Sequence, residues 1–244
     1  MSIFEKISLR QVFFGVLLLP TLISSVLAVE TNNIMINNQK YNLKVVYPHF
    51  SRGLNNLANI NHAIDDCVLL KQKAYLRYVK AKINDFERKF IIKHSFFKLT
   101  YDTSFYNKNI LSFIIFIDEV KYPTTHVNCK RLIAYNYFLN NEARITLSDC
   151  FEPGFDYVNF IHNYCYNEIS ENFKKSNSNF SPKALKDSID ETAIHNFQIT
   201  PKAIIIYFNP NEIIPFKHGI QKVILPFDQM PSSQTVLKAV KSYY

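Results

Sequence analysis

Three side chains that could transfer a proton, and one that could act as a nucleophile, stand in the second half of the chain. The proton-transfer candidates are His126, Asp149 and Glu212, and the nucleophile candidate is Ser148. A catalytic triad needs such groups within hydrogen-bond reach of one another, and no spacing here ties them together. A histidine in a polar loop, as at position 126, more often makes structural hydrogen bonds. We therefore predict that the protein is not an enzyme.

Metal binding and glycoside hydrolysis have little support either. His162 and Cys165 would lie one helical turn apart and could bind a metal ion, but a disulfide through Cys165 would remove that site. Asp65-Asp66 and Asp118-Glu119 are adjacent carboxylates, and adjacent side chains on a helix or strand point apart. The chain has only 4 glycines, too few for the usual phosphate-binding loops. We expect neither a metal ion nor another cofactor.

The first 28 residues have the features of a cleavable signal peptide. Lys6 and Arg10 precede an apolar run over 12–27, and short residues occupy the positions before a cut after Ala28. An uncleaved membrane anchor is the alternative, and Pro20 weakens it because a span needs about 20 uninterrupted apolar residues. We expect residues 29–244 to be periplasmic or secreted, with no membrane span after cleavage.

The composition predicts a globular and basic exported domain. Hydrophobic residues make up 48% of the chain, and its 21 Phe and 15 Tyr are enough for a core. Removing Lys6, Arg10 and Glu5 with the signal peptide leaves 26 basic against 19 acidic residues, a net charge of +7. Such a chain is attracted to anionic surfaces. The basic residues are scattered, without a stripe of interleaved aromatics, so we expect no nucleic-acid binding.

All four cysteines lie after the predicted cleavage site. They are Cys67, Cys129, Cys150 and Cys165. An even number in an oxidising compartment indicates two disulfides, with three possible pairings. Zinc is the alternative, but no Cys-x-x-Cys pair is present and the spacings fit no common zinc site.

Two helices and a set of strands suggest which cysteines pair. Apolar residues at helical spacing predict helices over about 54–86 and 155–174, with Cys67 and Cys165 facing inward. Strands are predicted over 89–101, 110–120, 132–139 and 144–147. A hairpin turn at 140–143 would place opposite each other residues whose numbers sum to about 282. The numbers of Cys129 and Cys150 sum to 279, so we predict that pair, and Cys67 with Cys165 by elimination.

The last third of the sequence also predicts both helices and strands. We predict a helix over 182–194 capped by Ser181, strands over 197–208 and 221–225, and a helix over 232–240. The expected fold is α+β, an antiparallel sheet with two main helices packed on it, braced by disulfides. We expect one domain over 29–244, with an N-terminal part over about 40–151 and a C-terminal part over about 155–230.

Several short motifs follow one another in this region. They are the segments 197–200, 204–208, 212–219 (Glu-Ile-Ile-Pro-Phe-Lys-His-Gly) and 223–227, preceded by 136–138, 145–147 and 149–151. Their order resembles an exported domain family shared by RsiV, a lysozyme-sensing anti-sigma factor, and PdaC, a peptidoglycan deacetylase in which the domain is a non-catalytic module. The resemblance covers about residues 40–230. It implies a candidate functional turn formed by His126, Glu212, Pro215 and Gly219.

The chain departs from the family pattern at two places. Pro123-Thr124-Thr125-His126 replaces a Gly-Gly-Ala-His segment, and Asn211 stands where a tyrosine usually precedes the glutamate. We expect neither an anti-sigma segment nor a deacetylase domain, so the bare extracytoplasmic module remains.

The resemblance implies a non-catalytic binding module at the cell envelope, with a cell-envelope protein or a cell-wall glycan as its partner. Lysozyme is possible but disfavoured, because hen-type lysozymes are basic and a chain of charge +7 would repel them. We therefore expect an anionic wall component or a less basic protein as ligand. An acidic face would change that expectation, and the residues that could form one are Asp65, Asp66, Asp118, Glu119, Asp149 and Glu152. The alternatives are a wall-modifying hydrolase or accessory enzyme with an unrecognised site, and a structural secreted protein.

Overall fold

The computed structural model describes residues 27–37, 42–52, 55–81, 95–121, 129–175, 181–231 and 233–241. The strands are β1 (Leu27–Asn37), β2 (Asn42–Arg52), β3 (Asn55–Asn56), β4 (Phe96–Tyr106), β5 (Ile110–Val120), β6 (Cys129–Phe138), β7 (Phe197–Ile199), β8 (Ala203–Phe208) and β9 (Gln221–Pro226). The helices are α1 (Ala58–Ala81), α2 (Tyr157–Lys175), α3 (Pro182–Ser188) and α4 (Gln234–Lys241). The fold is therefore α+β, as predicted. No helix among the described residues is long and apolar enough to cross a membrane.

The strands form two sheets. The larger has the order β1-β2-β4-β5-β6, with β3 paired to β2, and the smaller has the order β7-β8-β9. β2 and β4 run parallel, with Asn42 opposite Phe96 and Val45 opposite Leu99. Parallel strands need a crossover connection, and here α1 lies within it. The larger sheet is thus mixed, and the prediction of an antiparallel sheet was wrong for this pair.

The chain divides into two compact units. Unit 1 comprises 1–101 and 115–129, and unit 2 comprises 102–114 and 130–244, so β4 and β5 each contribute to both. Unit 1 contains β1, β2, β3 and α1. Its buried side chains include Phe50, Ile60, Ile64, Tyr75 and Phe97, and the rings of Tyr75 and Phe97 are 5.4 Å apart.

Unit 2 buries a continuous apolar core beneath α2 and the smaller sheet. The predicted inward stripe of α2 is confirmed at Ile161, Cys165, Ile169 and Phe173, all of which are buried. The predicted strand over 197–208 is instead a hairpin, in which Phe197 lies opposite Ile206 and Ile199 opposite Ile204. Ser181 caps α3 as predicted, because its hydroxyl accepts the Ala184 N–H at 3.4 Å.

The prediction of a disulfide-braced domain was wrong. Cys67, Cys150 and Cys165 carry free thiols, and the side chain of Cys129 lies outside the described residues. The predicted hairpin does begin, since Tyr137 bridges Arg144 and Ile145 N–H donates to the Asn136 carbonyl at 2.8 Å. The chain then leaves β6 and forms a 3-10 turn over Ser148–Cys150. That turn takes Cys150 into the core of unit 2, where a buried thiol packs as a small apolar side chain.

Candidate functional site

The predicted functional turn is closed by its own glutamate. The Glu212 carboxylate accepts the Asn209 backbone N–H at 2.5 Å and the Asn209 side-chain amide at 3.1 Å. The Glu212 N–H donates to the Asn209 carbonyl at 3.0 Å, so the two residues are joined in both directions. A carboxylate that accepts two local donors is engaged in holding the backbone. Glu212 therefore has a structural role in this turn.

The rest of the turn is fixed by backbone geometry and by packing. Asn211 has a φ of +67° and Gly219 a φ of +68°, both in the left-handed region. Asparagine and glycine tolerate that region best, which explains why asparagine is suited to position 211. Ile213 is buried, and its carbonyl accepts the Ser188 hydroxyl at 3.1 Å. Pro215 is exposed, and its carbonyl accepts the His218 N–H at 3.1 Å. His126 lies outside the described residues.

Three asparagines connect β6 to the smaller sheet. Asn209 donates to the Leu132 carbonyl at 3.1 Å and accepts its N–H at 2.7 Å. Asn196 donates to the same carbonyl at 3.0 Å and accepts the Ala134 N–H at 2.8 Å. Each side-chain amide thus replaces the donor and acceptor of a missing neighbouring strand. We call Asn136, Asn196 and Asn209 the amide bridge.

Asn136 is the buried member of the amide bridge. It is 2% exposed, donates to the Phe197 carbonyl at 2.7 Å and accepts the Ile199 N–H at 2.9 Å. Its oxygen also accepts the Ser112 hydroxyl at 2.7 Å. Sequence analysis noted Asn136 within a short motif but did not recognise this role. Asparagine inside a strand pattern was the available signal, because a polar amide there needs buried partners.

The other catalytic candidates are also engaged in local structure. The Asp149 carboxylate accepts the Thr146 N–H at 2.7 Å and the Thr146 hydroxyl at 2.6 Å. The Ser148 hydroxyl lies 2.8 Å from that same threonine hydroxyl. These contacts form a hydroxyl-rich turn before the 3-10 segment, with no histidine among the contacts described.

The two cysteines of unit 2 are poorly suited to metal binding. Burial, and then the charge of Asp149, raises the pKa of the Cys150 thiol well above its usual value. Burial, and then Glu168, does the same for Cys165. A metal ligand must be a thiolate, and these shifts oppose thiolate formation. Within the described residues no group of three or more His, Cys, Asp or Glu side chains could hold a metal ion.

A row of aromatic side chains lies at the start of α2, on a different face from the buried stripe. Phe155, Tyr157, Phe160 and Tyr164 are each partly exposed, and we call them the aromatic strip. The buried ring of Phe151 lies beneath, with ring centres 5.8 Å from Phe155, 5.6 Å from Tyr157 and 5.9 Å from Phe160. Phe160 and Tyr164 are 6.3 Å apart. Mutual packing of this kind holds each ring in one position.

β9 and the turn after it contact the last ring of the aromatic strip, Tyr164. The Tyr164 hydroxyl lies 3.2 Å from the Ile224 carbonyl and 3.0 Å from the Gln229 side-chain oxygen. Its single proton can donate to one of them at a time. The Ile224 backbone makes this contact, whereas its side chain, 50% exposed, lies opposite Ile205 on the other face of the smaller sheet from Val223 and Leu225. The result is a fixed, half-exposed apolar surface.

Carboxylates border this surface. Glu152 and Asp156 flank Phe155 in sequence and are exposed. Asp156 caps α2 by accepting the Asn159 N–H at 3.2 Å, and hydrogen bonds from Asn159 lower its pKa. Burial, and then the charges of Glu168, Cys165 and Asp228, raise the pKa of the Tyr164 phenol.

Glu168 follows Tyr164 by one turn of α2, and Asp228 precedes Gln229, whose side chain meets the Tyr164 hydroxyl. We call Glu152, Asp156, Glu168 and Asp228 the acidic rim. Lys222, exposed on β9, lies opposite Tyr207 and therefore on the other face of the smaller sheet from Val223 and Leu225. Of the acidic candidates named from sequence, Glu152 belongs to this rim and Asp149 lies two residues before Phe151. Asp65, Asp66, Asp118 and Glu119 belong to unit 1.

The sequence pattern predicted the buried stripe of α2, and its aromatic face was not predicted. The signal was present, because residues 157, 160 and 164 follow the i, i+3, i+7 spacing of one helix face. That face is displaced from the stripe through Ile161 and Cys165. The aromatic residues of this face pack against the edge of the core and remain partly exposed.

Comparison with known proteins finds one similar family. Residues 148–228, about a third of the chain, match the model of a family described as a protein of unknown function, DUF3298. The match spans the aromatic strip, Glu212 and Gly219, and it lies entirely in unit 2. No curated protein matches the chain.

Two solved structures share the fold over most of its length. A DUF3298 family member from Bacteroides fragilis NCTC 9343 has a TM-score of 0.60 and 17% identity, and the similarity covers 88% of this chain and 98% of that one. A DUF3298 family protein from Pseudomonas aeruginosa PAO1 has a TM-score of 0.59 and 8% identity, with coverage of 87% and 95%. At these identities the likeness establishes the fold alone.

Proposed function

We propose that this protein is an exported, non-catalytic binding module that acts at the cell envelope and binds a protein ligand on the aromatic strip. The sequence resemblance to the RsiV and PdaC domain family supports the binding role, and the signal-peptide pattern supports export. The observation that carries the proposal is the half-exposed row of packed rings with its acidic rim.

The arrangement of the catalytic candidates supports a non-catalytic role. Glu212 holds Asn209, and Asp149 holds Thr146. A general acid or base needs a carboxyl group directed at a substrate, often with a pKa shifted towards neutrality by burial. Both carboxylates instead lie on the exposed side of turns and accept local donors.

The aromatic strip has the chemistry of a protein-binding surface. Tyrosine and phenylalanine are enriched at the centres of protein interfaces, and tyrosine is frequent among the residues that carry most of the binding energy. Packing against Phe151 fixes the rings before a ligand arrives. Less conformational entropy is then lost on binding, so more of the contact energy appears as affinity.

The acidic rim favours a protein with basic side chains over an anionic polymer. Net charge acts at long range, so a chain of charge +7 after cleavage slows the approach of a basic protein. At physiological salt, exposed charges are screened beyond about 8 Å, so contact energies depend on the nearby carboxylates. The four carboxylates of the acidic rim can pair with lysine or arginine, and the rings can accept a cation on their faces. A wall polymer carrying negative charge would meet the same carboxylates unfavourably.

An anionic wall component is the second candidate ligand, because the chain as a whole is basic. The two candidates differ in the surface that they use. A polymer attracted by scattered lysines should bind without the aromatic strip and should be released by salt. A wall-modifying hydrolase remains the alternative class, and it would require turnover of wall glycan.

Binding by two variants of α2 tests the proposal. We expect Tyr164→Ala to weaken binding to hen lysozyme, used as a basic protein probe, by about tenfold or more, as for a central interface tyrosine. Tyr166→Ala is the matched control, since Tyr166 is also partly buried on the same helix but lies outside the strip. Binding of the purified protein to lysozyme and to insoluble peptidoglycan should be measured at low and at physiological salt.

Three results would contradict the proposal. Salt-sensitive binding to peptidoglycan that both variants retain would favour the anionic polymer. Equal losses in Tyr164→Ala and Tyr166→Ala would mean that the aromatic strip has no specific role. Release of soluble glycan fragments from peptidoglycan would identify an enzyme.

A further inference from the structure

β1 forms one edge of the larger sheet. Within the described part of the chain it pairs only with β2, over all 11 residues from Leu27 opposite Arg52 to Asn37 opposite Asn42. In an antiparallel pair alternate residues bond to the neighbouring strand, so about half of β1 directs its N–H and C=O groups away from β2. These groups form a template for another strand.

Among the residues that the structure describes, this edge lacks the features that usually protect a sheet edge. Natural edge strands carry lysine, proline or a bulge, or are very short. The pairing of β1 with β2 is continuous, with one residue opposite one residue throughout, so β1 contains no bulge. Its sequence has no Lys, Arg or Pro, and Glu30 is its only charged residue. The seven residues from Thr31 to Asn37 are uncharged.

An apolar segment lies in the uncharged part of this edge. Ile34 and Ile36 are partly buried, whereas Met35 between them is 62% exposed. The middle of the strand is held in place, since the Thr31 hydroxyl lies 2.7 Å from the Tyr101 hydroxyl of β4. A long, straight strand with an exposed methionine has the properties of a strand-pairing site.

We propose that β1 pairs antiparallel with β1 of a second copy of this chain. The lack of charge in this part of β1 is the reason for choosing a second copy as the partner. A chain of net charge +8, or +7 after cleavage, repels its own copies over most of its surface, but the segment 31–37 has no charge to oppose. With a two-fold axis at Ile34, each copy places Asn33 opposite Met35 and Asn32 opposite Ile36, and every facing pair is neutral. Two-fold pairing is also the commonest symmetry of protein assemblies.

The inference is independent of the proposed ligand. β1 belongs to unit 1, whereas the aromatic strip belongs to unit 2 and to the DUF3298 match. If the aromatic strip bound no ligand, the proposal for β1 would be unaffected. If β1 did not pair with a second copy, the proposal for the aromatic strip would be unaffected.

The test compares two substitutions of similar exposure within unit 1. Met35→Lys places a charge on the edge, and we expect it to raise the dimer dissociation constant by about tenfold or more. Leu70→Lys is the matched control, because Leu70 is 66% exposed but lies on α1. Mass should be measured by analytical ultracentrifugation over a range of protein concentrations. Amide exchange of peptides spanning 29–37 should be followed in parallel.

The expected result is a dimer in the wild-type protein and in Leu70→Lys, a monomer in Met35→Lys, and slower exchange of β1 amides as concentration rises. A dimer that survives Met35→Lys, or one lost in both variants, would overturn the proposal. A wild-type monomer at every concentration would overturn it as well. In that case the edge would be available to an extended segment of a different protein.

Discussion

Both units use asparagine side-chain amides to hold their strands, but the two units use them in different ways. In unit 1, Asn61 on α1 accepts the Phe50 N–H at 2.8 Å and donates to the Phe50 carbonyl at 2.8 Å. One side chain therefore fastens the helix to β2 through both backbone groups of Phe50, and its amide nitrogen also lies 3.4 Å from the His49 ring. In unit 2, the amide bridge of Asn136, Asn196 and Asn209 spans four backbone positions of β6 and β7. There the asparagines join two sheets.

The difference shows what a side-chain amide can replace. A primary amide carries a donor and an acceptor side by side, which is the pattern that an edge strand offers to its neighbour. Backbone pairing needs aligned strands, and a side chain can meet the same groups without that alignment. Unit 2 uses this property to satisfy the β6 edge internally. The β1 edge of unit 1 has no such set of side chains on its outer side among the described contacts.

The largest effect is expected from the buried member of the amide bridge. Asn136→Ala removes three hydrogen bonds and leaves the Phe197 carbonyl and the Ile199 N–H without a partner. Each buried group left unpaired costs about 1–3 kcal/mol, so we expect a loss of about 3 kcal/mol or more in the free energy of unfolding. Chemical denaturation measures this loss.

The control for that variant is Asn141→Ala. Asn141 is exposed and accepts the Ala143 N–H at 3.0 Å in a surface turn. Amide exchange should quicken at Ile199 in Asn136→Ala, while β2 in unit 1 keeps its protection. If Asn136→Ala were no more destabilising than the control, the amide bridge would not contribute measurably to the free energy of unfolding.

A smaller effect is expected from the single asparagine of unit 1. Asn61→Ala removes two hydrogen bonds to Phe50, and we expect a loss of about 2 kcal/mol together with faster exchange at Phe50. Lys71→Ala on the exposed face of the same helix should change little. Should Asn61→Ala prove more damaging than Asn136→Ala, the ranking of the two units would be reversed.

Sequence reasoning located most elements of unit 2. Periodicity predicted α2 within two residues at its start and one at its end, and Ser181 with Pro182 predicted the start of α3. The strands before α1 were not predicted at all. β1 is rich in asparagine and its exposure does not alternate cleanly, so the two-residue period that marks a half-buried strand is weak there. The predicted cleavage point after Ala28 falls inside this strand.

The candidate site was harder to predict, for a physical reason. Glu212 was correctly assigned to a turn, but sequence could not tell a carboxylate that closes the turn from one that receives a ligand. The distinction depends on Asn209, three residues away, and on the backbone between them. Tyr164 of the aromatic strip meets the Ile224 carbonyl and the Gln229 side chain, which are distant in sequence from α2. Contacts of that range follow from tertiary packing and leave no local pattern.

The two units also differ in the expected reactivity of their cysteine thiols. Cys67 in unit 1 is half-buried, whereas Cys150 and Cys165 in unit 2 are fully buried with raised thiol pKa values. Thiol reagents attack the exposed thiolate. We therefore expect a maleimide to label Cys67 first in the native protein, and Cys150 and Cys165 only as unit 2 opens. Peptide mapping by mass spectrometry, without reductant, measures the order.

The same maps decide between free thiols and the disulfides predicted from sequence. In denaturant, Cys67, Cys150 and Cys165 should all be labelled without prior reduction. A peptide linking Cys67 to Cys165 would restore the predicted pair and would contradict the structure. Labelling of Cys150 or Cys165 as fast as Cys67 would show instead that the core of unit 2 opens readily. That result would weaken the contrast between the units, because the amide bridge should hold unit 2 closed on the timescale of the reaction.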